Sequence, residues 1–134
     1  MLDSRQTITA WLATIDDLTD LNVSFVQEDG FSTETEKPTI VIVYDGSDEE
    51  SGTLFRNERW DFWLVAESGD YYTLGLMAQI LRKNLDRKTP AGVDGQETTI
   101  LRMRWSGDGP AVLDTQYRVH TQIQSYIALV FDTA

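Results

Sequence analysis

The chain has 134 residues, is 41% hydrophobic and 25% charged, and carries 14 aromatic side chains, which fits one packed domain over residues 1–134 and excludes a disordered chain. It contains no cysteine, no basic segment followed by an apolar stretch at its start, and no run near the roughly 18 apolar residues of a membrane helix, so disulfides, thiolate chemistry, cysteine-ligated zinc and a membrane span are excluded and a soluble, cytosol-folded chain is expected. Its net charge is -11, and residues 1–50, with 12 acids and 2 bases, hold -10 of it, a one-sided field that argues against conventional nucleic-acid binding.

The first predicted element is a helix. Asp3 or Ser4 can cap it, and Ile8, Trp11, Leu12, Ile15 and Leu18 follow at i, i+3, i+4, i+7 spacing. Asp16, Asp17 and Asp20 then crowd its C-terminal end, where they oppose the helix dipole at about 0.3–1 kcal/mol each. No capping reason accounts for them; they read either as a solvated face or as an acidic assembly surface. Asn22–Gln27 is a short strand through Val23 and Phe25, and residues 28–37 are a polar loop. Pro38 opens a second strand, Thr39–Tyr44, whose Ile40–Val43 run predicts burial on both faces. The acid-rich stretch Asp45–Gly52 has nothing to bury and reads as a mobile loop.

Phe55–Glu67 is the third strand, with Trp60, Phe62 and Leu64 on one face and Asp61, Trp63 and Val65 on the other. Tryptophans on opposite faces imply that both sides of this strand meet protein. Residues 68–70 can cap a second helix, Tyr71–Arg87, with Leu74, Met77, Leu81 and Leu85 as its core stripe and Arg82, Lys83, Arg87 and Lys88 near its end, where the dipole favours cations. Residues 89–97 form a second flexible loop. Thr98–Trp105 is a strand that alternates Leu101, Met103 and Trp105 against Ile100, Arg102 and Arg104, and Ser106–Pro110 is a hairpin turn. In the last segment, Tyr117–Phe131, six of the eight odd positions are apolar, while the even ones begin Arg118, His120, Gln122, Gln124. Fifteen extended residues span roughly 50 Å, against roughly 36 Å for the diameter of a compact domain of this size. Either a bulge folds this strand back on the body, or the hairpin projects and needs a second subunit to cover it. The order α-β-β-β-α-β-β predicts an α+β fold: a mixed, mostly antiparallel sheet, two helices packed on it, and a long C-terminal hairpin.

A catalytic constellation is not evident. His120 is the only histidine and reads as a surface residue of a polar strand face. No serine or threonine has a recognisable histidine partner, and phosphate-binding glycine loops are missing. Asp45, Asp48, Glu49 and Glu50 lack the spacing of a calcium loop. Glu58 and Asp61 fall on opposite faces of their strand, which argues against a shared site. The expectation is therefore a protein that is not an enzyme, with no catalytic residue, no cofactor and no metal.

Four features, taken in order, resemble a known family. They are the amphipathic N-terminal helix, a proline leading into an apolar strand that ends at a turn (residues 37–46, KPTIVIVYDG), the strand 59–67 (RWDFWLVAE) running into the helix Tyr71–Arg87, and the closing strand Tyr117–Phe131. This pattern is similar to that of the tail terminator (tail completion) proteins of long-tailed bacteriophages, including the Mu-like group. The resemblance implies a mixed sheet with helices on one side and a homo-oligomer, a hexameric ring. Such a ring caps the tail tube, ends its elongation and joins the tail to the head-side connector. The implied partners are further copies of the chain, the tail tube protein and the connector protein. DNA would pass through the channel without specific binding, and the protein would be assembled in the host cytoplasm and reside in the tail or neck of the virion.

On that reading Asp16, Asp17 and Asp20, or Asp45, Asp48, Glu49 and Glu50, face the channel or a joint between rings, and Tyr117, Val119, Ile123, Arg102 and Arg104 are candidate subunit contacts. Two other classes fit the composition. One is another neck or head-completion component; the other is a small acidic inhibitor that mimics DNA, against which stand the 11 bases and the confinement of net charge to the first 50 residues.

Overall fold

Trp60, Phe62 and Leu64 point inward from a central strand, and the rest of the fold is arranged around that row. In the computed structural model, which describes residues 4–28, 38–49, 55–67, 69–90, 98–114 and 119–132, the elements are α1 (Arg5–Ala13), α2 (Asp16–Asp20), β1 (Ser24–Gln27), β2 (Thr39–Glu49), β3 (Phe55–Glu67), α3 (Tyr71–Leu85), β4 (Thr98–Asp108), β5 (Val112–Asp114) and β6 (Val119–Asp132). The sheet order is β1-β2-β3-β6-β4, with β5 also on β6. β1 pairs with β2 in parallel and every other pairing is antiparallel, so the α+β class and the mixed, mostly antiparallel sheet are as expected.

The predicted first helix is two helices. The Thr14 hydroxyl donates to the Trp11 carbonyl at 2.6 Å, and Ile15 takes an extended backbone (φ -83, ψ 103), so the hydrogen-bond ladder stops there. Ile8, Trp11, Leu12, Ile15 and Leu18 are nonetheless all buried. The break changes the sign of the electrostatics: Asp16 and Asp17 occupy the first turn of α2, where the dipole favours acids, instead of the end of a longer helix. Asn22, in the left-handed region at φ 60, ends that segment, a conformation asparagine tolerates better than most residues.

α3 buries Leu74, Met77, Leu81 and Leu85, the predicted stripe. Its N-cap is Asp70, whose carboxylate accepts from the Thr73 N–H at 3.1 Å. Hydrogen bonds from the Thr73 side chain and backbone hold the Asp70 carboxyl below the usual carboxylate range. The folded value is thus lower than the unfolded one, so the stabilisation is present above about pH 4 and disappears as pH falls through the folded value. Asp70→Ala is expected to cost about 1 kcal/mol at neutral pH. Urea unfolding of both proteins should show the gap narrowing towards about pH 3.

The acidic stretch expected to loop out is strand as far as Glu49. After a register shift between Tyr44 and Ser47, where Gly46 adopts φ 107, Ser47, Asp48 and Glu49 pair with Glu58, Asn57 and Arg56. Pairing with β3 satisfies the backbone of a run that has no apolar side chain to bury. Glu50 lies outside the described residues, as do most of the predicted loops at 28–37 and 89–97.

β6 resolves the length problem differently from either expectation. It neither bulges nor projects, because β3 is almost equally long and pairs with it without a shift from Phe55↔Phe131 to Glu67↔Val119. On its other side, β4 and β5 lie end to end along β6 with register shifts between Ile100 and Arg102 and between Trp105 and Gly107. The Ser106–Pro110 stretch is thus an interruption within an edge strand, pinned by Gly109 N–H donating to the Ile123 carbonyl at 2.7 Å. β5 and β6 pair antiparallel from Asp114↔Val119 to Val112↔Thr121, and residues 115–118 lie outside those described. The first of these shifts also cancels the alternation expected of β4: Ile100 and Met103 are both buried, and Leu101 is 38% exposed.

The outer edge of β4 is closed by the segment that follows α3. Arg87 N–H donates to the Met103 carbonyl, Met103 N–H to the Lys88 carbonyl, the Thr89 hydroxyl to the Leu101 carbonyl, and Trp105 N–H to the Asp86 carboxylate, at 2.6–2.9 Å. α3 ends at Leu85, short of the predicted Arg87, because Asp86 takes an extended backbone (φ -65, ψ 124) and Arg87 then turns to φ 60 to make this contact.

Candidate functional site: the second face of the sheet

Helices occupy one face of the sheet. Ile40, Ile42, Trp60, Phe62, Leu64, Ile100, Met103, Tyr126, Ala128 and Val130 meet Ile8, Leu12, Leu18, Leu74, Met77 and Leu81 there in one core. This corrects the reading of β6. Its even positions face the helices, and its mostly apolar odd positions face away. His120, expected on the surface, is 2% exposed and stacks on Tyr71 with ring centroids 3.9 Å apart. Gln124 is buried too; it donates to the Ala78 carbonyl at 3.2 Å and accepts from the Tyr126 hydroxyl at 2.7 Å. Burial, then the charges of Asp108 and Asp86, push the Tyr126 phenol well above its usual range, with Arg82 opposing.

A charged group lies in the same layer. Glu58 is fully buried and accepts from Arg56 Nη2 at 3.1 Å, the Ser4 N–H at 3.2 Å and Trp60 Nε1 at 3.2 Å. Asp61 faces the other way and accepts from the Ser125 hydroxyl at 2.7 Å, so these two carboxylates are on opposite faces, as strand spacing requires. These donors are a guanidinium, a main-chain amide and an indole of the chain itself, so the carboxylate holds the start of α1 against β3.

The second face is built by side chains that alternate away from the helices. Cross-strand pairing sets Trp63 between Val41 and Ile123, Ile127 between Arg59 and Arg104, and Leu129 between Asn57 and Arg102. Phe55 packs on Phe131 with centroids 5.4 Å apart. Val41 and Val65 are buried there; Trp63, Ile127, Leu129 and Phe131 are half-buried; Phe55 and Ile123 are exposed. None of these belongs to the helix-side core. A shallow depression of about 370 Å³ lies at the β4 side, lined by Asn57, Arg87, Arg102, Arg104, Ile127 and Leu129. Its polar groups are cations and one amide over an aliphatic floor. That combination suits carboxylates carried on a protein surface.

Of the candidate subunit contacts, Arg102, Arg104, Ile123 and Val119 are all brought to this face, and Tyr117 lies outside the described residues. The acids are not brought together. Asp16, Asp17 and Asp20 are exposed on α2, which leads into β1. Asp45 and Asp48 are exposed at the far end of β2, where Glu49 ends the strand. Asp48 is engaged by Arg59 at 3.1 and 3.2 Å, an exposed pair worth about 0–1 kcal/mol. Sequence reasoning missed Asn57 and Arg87, since neither an isolated polar residue nor a helix-end cation signals a concave lining. Ile127 and Leu129 were within reach, because they share the odd parity of Ile123. Among the described residues, no three His, Asp or Glu side chains gather as a metal site, and no helix is long and apolar enough to cross a membrane.

No family model matches the chain, and no curated protein matches it. Among solved structures, it is similar to a chain of the virion of a native gene transfer agent particle, with a TM-score of 0.66 over 92% of this chain and 91% of that one, at 7% identity. The likeness shows a shared fold from one end of the chain to the other.

Proposed function

We propose that the protein is a non-enzymatic virion component, and specifically a tail terminator: a ring of identical copies that caps a tail tube, ends its elongation and joins it to the head-side connector. The observation that carries this reading is the end-to-end fold likeness to a chain of a virion, covering more than nine-tenths of both chains. The second face of the sheet supports it. Half-buried Trp63, Ile127, Leu129 and Phe131 beside exposed Ile123 and Phe55 form an apolar surface of the kind that marks protein contacts. The covered edge of β4 narrows the means of assembly, since the main-chain groups of Met103 are already paired within the chain. That stretch of β4 is therefore closed to strand addition by a second copy, and the side chains of the second face are what it offers to a neighbour.

The closest alternative, another neck component, rests on the same fold likeness. Negative-stain microscopy of the purified protein mixed with tail tubes separates the two. A terminator gives a ring at one end of each tube and stops its growth. Binding to the connector without any effect on tube length would overturn the terminator reading.

A further inference from the structure

Two surfaces of opposite charge find no ion-pair partner among the described residues. Arg87, Arg102 and Arg104 line the depression on the second face, and none of them forms an ion pair among the described residues. Asp16, Asp17 and Asp20 are exposed on α2 and likewise form none there. The sheet order separates the two groups: β4 is one edge, and β1, which α2 feeds directly, is the other. They also differ in height along the strands. Arg102 is level with Leu129, Asn57 and Asp48, whereas α2 reaches β1 at Ser24, which pairs with Thr39 at the opposite end of β2.

We infer that the arginine-lined depression receives the acidic α2 of a second copy of the chain, in a head-to-tail contact. Because the two patches lie at opposite edges of the sheet, a single contact uses one patch of each copy and leaves the other free, and such a head-to-tail contact closes into a ring when its rotation allows. Charge selects the occupant. The chain carries -11, so phosphate is repelled from the molecule as a whole, while a neighbouring copy presents three free carboxylates on one short helix. Asp48 is a poorer candidate because it already holds Arg59. The guanidinium groups set orientation and register, and the aliphatic floor of Ile127 and Leu129 supplies apolar burial. This inference builds on the proposed ring and names the surfaces that would form it.

Charge reversal of the full chain tests it, with self-association followed by sedimentation velocity and folding by circular dichroism. The wild type associates at low salt and dissociates as salt rises. Arg102→Glu with Arg104→Glu is folded and associates more than about tenfold more weakly, and so is Asp16→Arg with Asp17→Arg and Asp20→Arg. Mixing the two variants restores assembly, because each supplies the patch that complements the other's altered one. The chain carrying all five substitutions assembles alone. A wild type that stays monomeric at every concentration and salt overturns the inference, as does failure of the mixture when both variants are folded. Retention of duplex DNA by the wild type but not by the arginine variant overturns it in favour of a phosphate partner. Rings that cap tubes regardless of these charges would sink this contact and leave the terminator reading standing. Charge-dependent assembly that ignores tubes would do the reverse.

Discussion

Glu58→Ala is expected to destabilise the fold by about 3–5 kcal/mol, a large share of the whole stability of a domain this size. The carboxylate is fully buried and collects three donors, from Arg56, Trp60 and the Ser4 backbone. It therefore ties the start of α1 to the middle of the sheet. Removing it takes away a carboxylate paired with Arg56, itself only 2% exposed, and leaves the Trp60 N–H without this acceptor. Glu58→Gln keeps an acceptor but loses the charge, so it should fall between alanine and the wild type. Arg56→Met combined with Glu58→Leu should recover much of the loss, since replacing a buried pair by apolar groups costs far less than breaking it. Urea denaturation of the three variants checks this ordering. A Glu58→Ala protein within about 1 kcal/mol of the wild type would show that the pair is solvated in solution.

That network shows where sequence pattern stops being informative. Alternation along 55–67 correctly assigns Trp60, Phe62 and Leu64 to one face, and by parity Arg56 and Glu58 share it. Pattern alone treats a charged pair as a sign of solvent, whereas here the pair is neutralised internally and placed under α1. β6 shows the same reversal more strongly. Its odd positions are the more apolar set, yet the helices cover the even ones, and His120 and Gln124 are accommodated by Tyr71 and the Ala78 carbonyl. Hydrophobic periodicity tells which residues share a face but not which face the helices will take.

The helices were legible because their stripes are long and amphipathic, and Leu74, Met77, Leu81 and Leu85 are buried as spaced. The break at Thr14 was not, since one hydroxyl hydrogen bond ends the ladder without disturbing the stripe. The strand character of Asp45–Glu49 was hidden for a different reason. It depends on a partner strand, because residues 56–58 of β3 must pair on both sides. Composition carries no record of such a partner. The bulges of β4 belong to the same class, being registers set by pairing. The candidate surface was thus partly visible, as Arg102, Arg104 and Ile123, and its concavity was not.

The two tryptophans of β3 convert the second face into a measurement. Trp60→Ala should cost about 3–5 kcal/mol, because its side chain is fully enclosed between the sheet and the helices. Trp63→Ala, from a half-buried site, should cost the monomer only about 1–2 kcal/mol. Its larger effect is expected in assembly. Trp63 is the largest side chain on the second face and is flanked by Val41 and Ile123, the setting in which an aromatic anchor carries about 2 kcal/mol or more of an interface. Self-association of Trp63→Ala should therefore be weakened by more than its fold is, with the opposite imbalance for Trp60→Ala. Thermal melts and sedimentation of the two proteins, measured side by side, separate the effects. If Trp63→Ala melts near the wild type and still assembles at wild-type concentrations, the part of the second face around Trp63, Val41 and Ile123 is a solvated surface, and the contact between copies lies elsewhere.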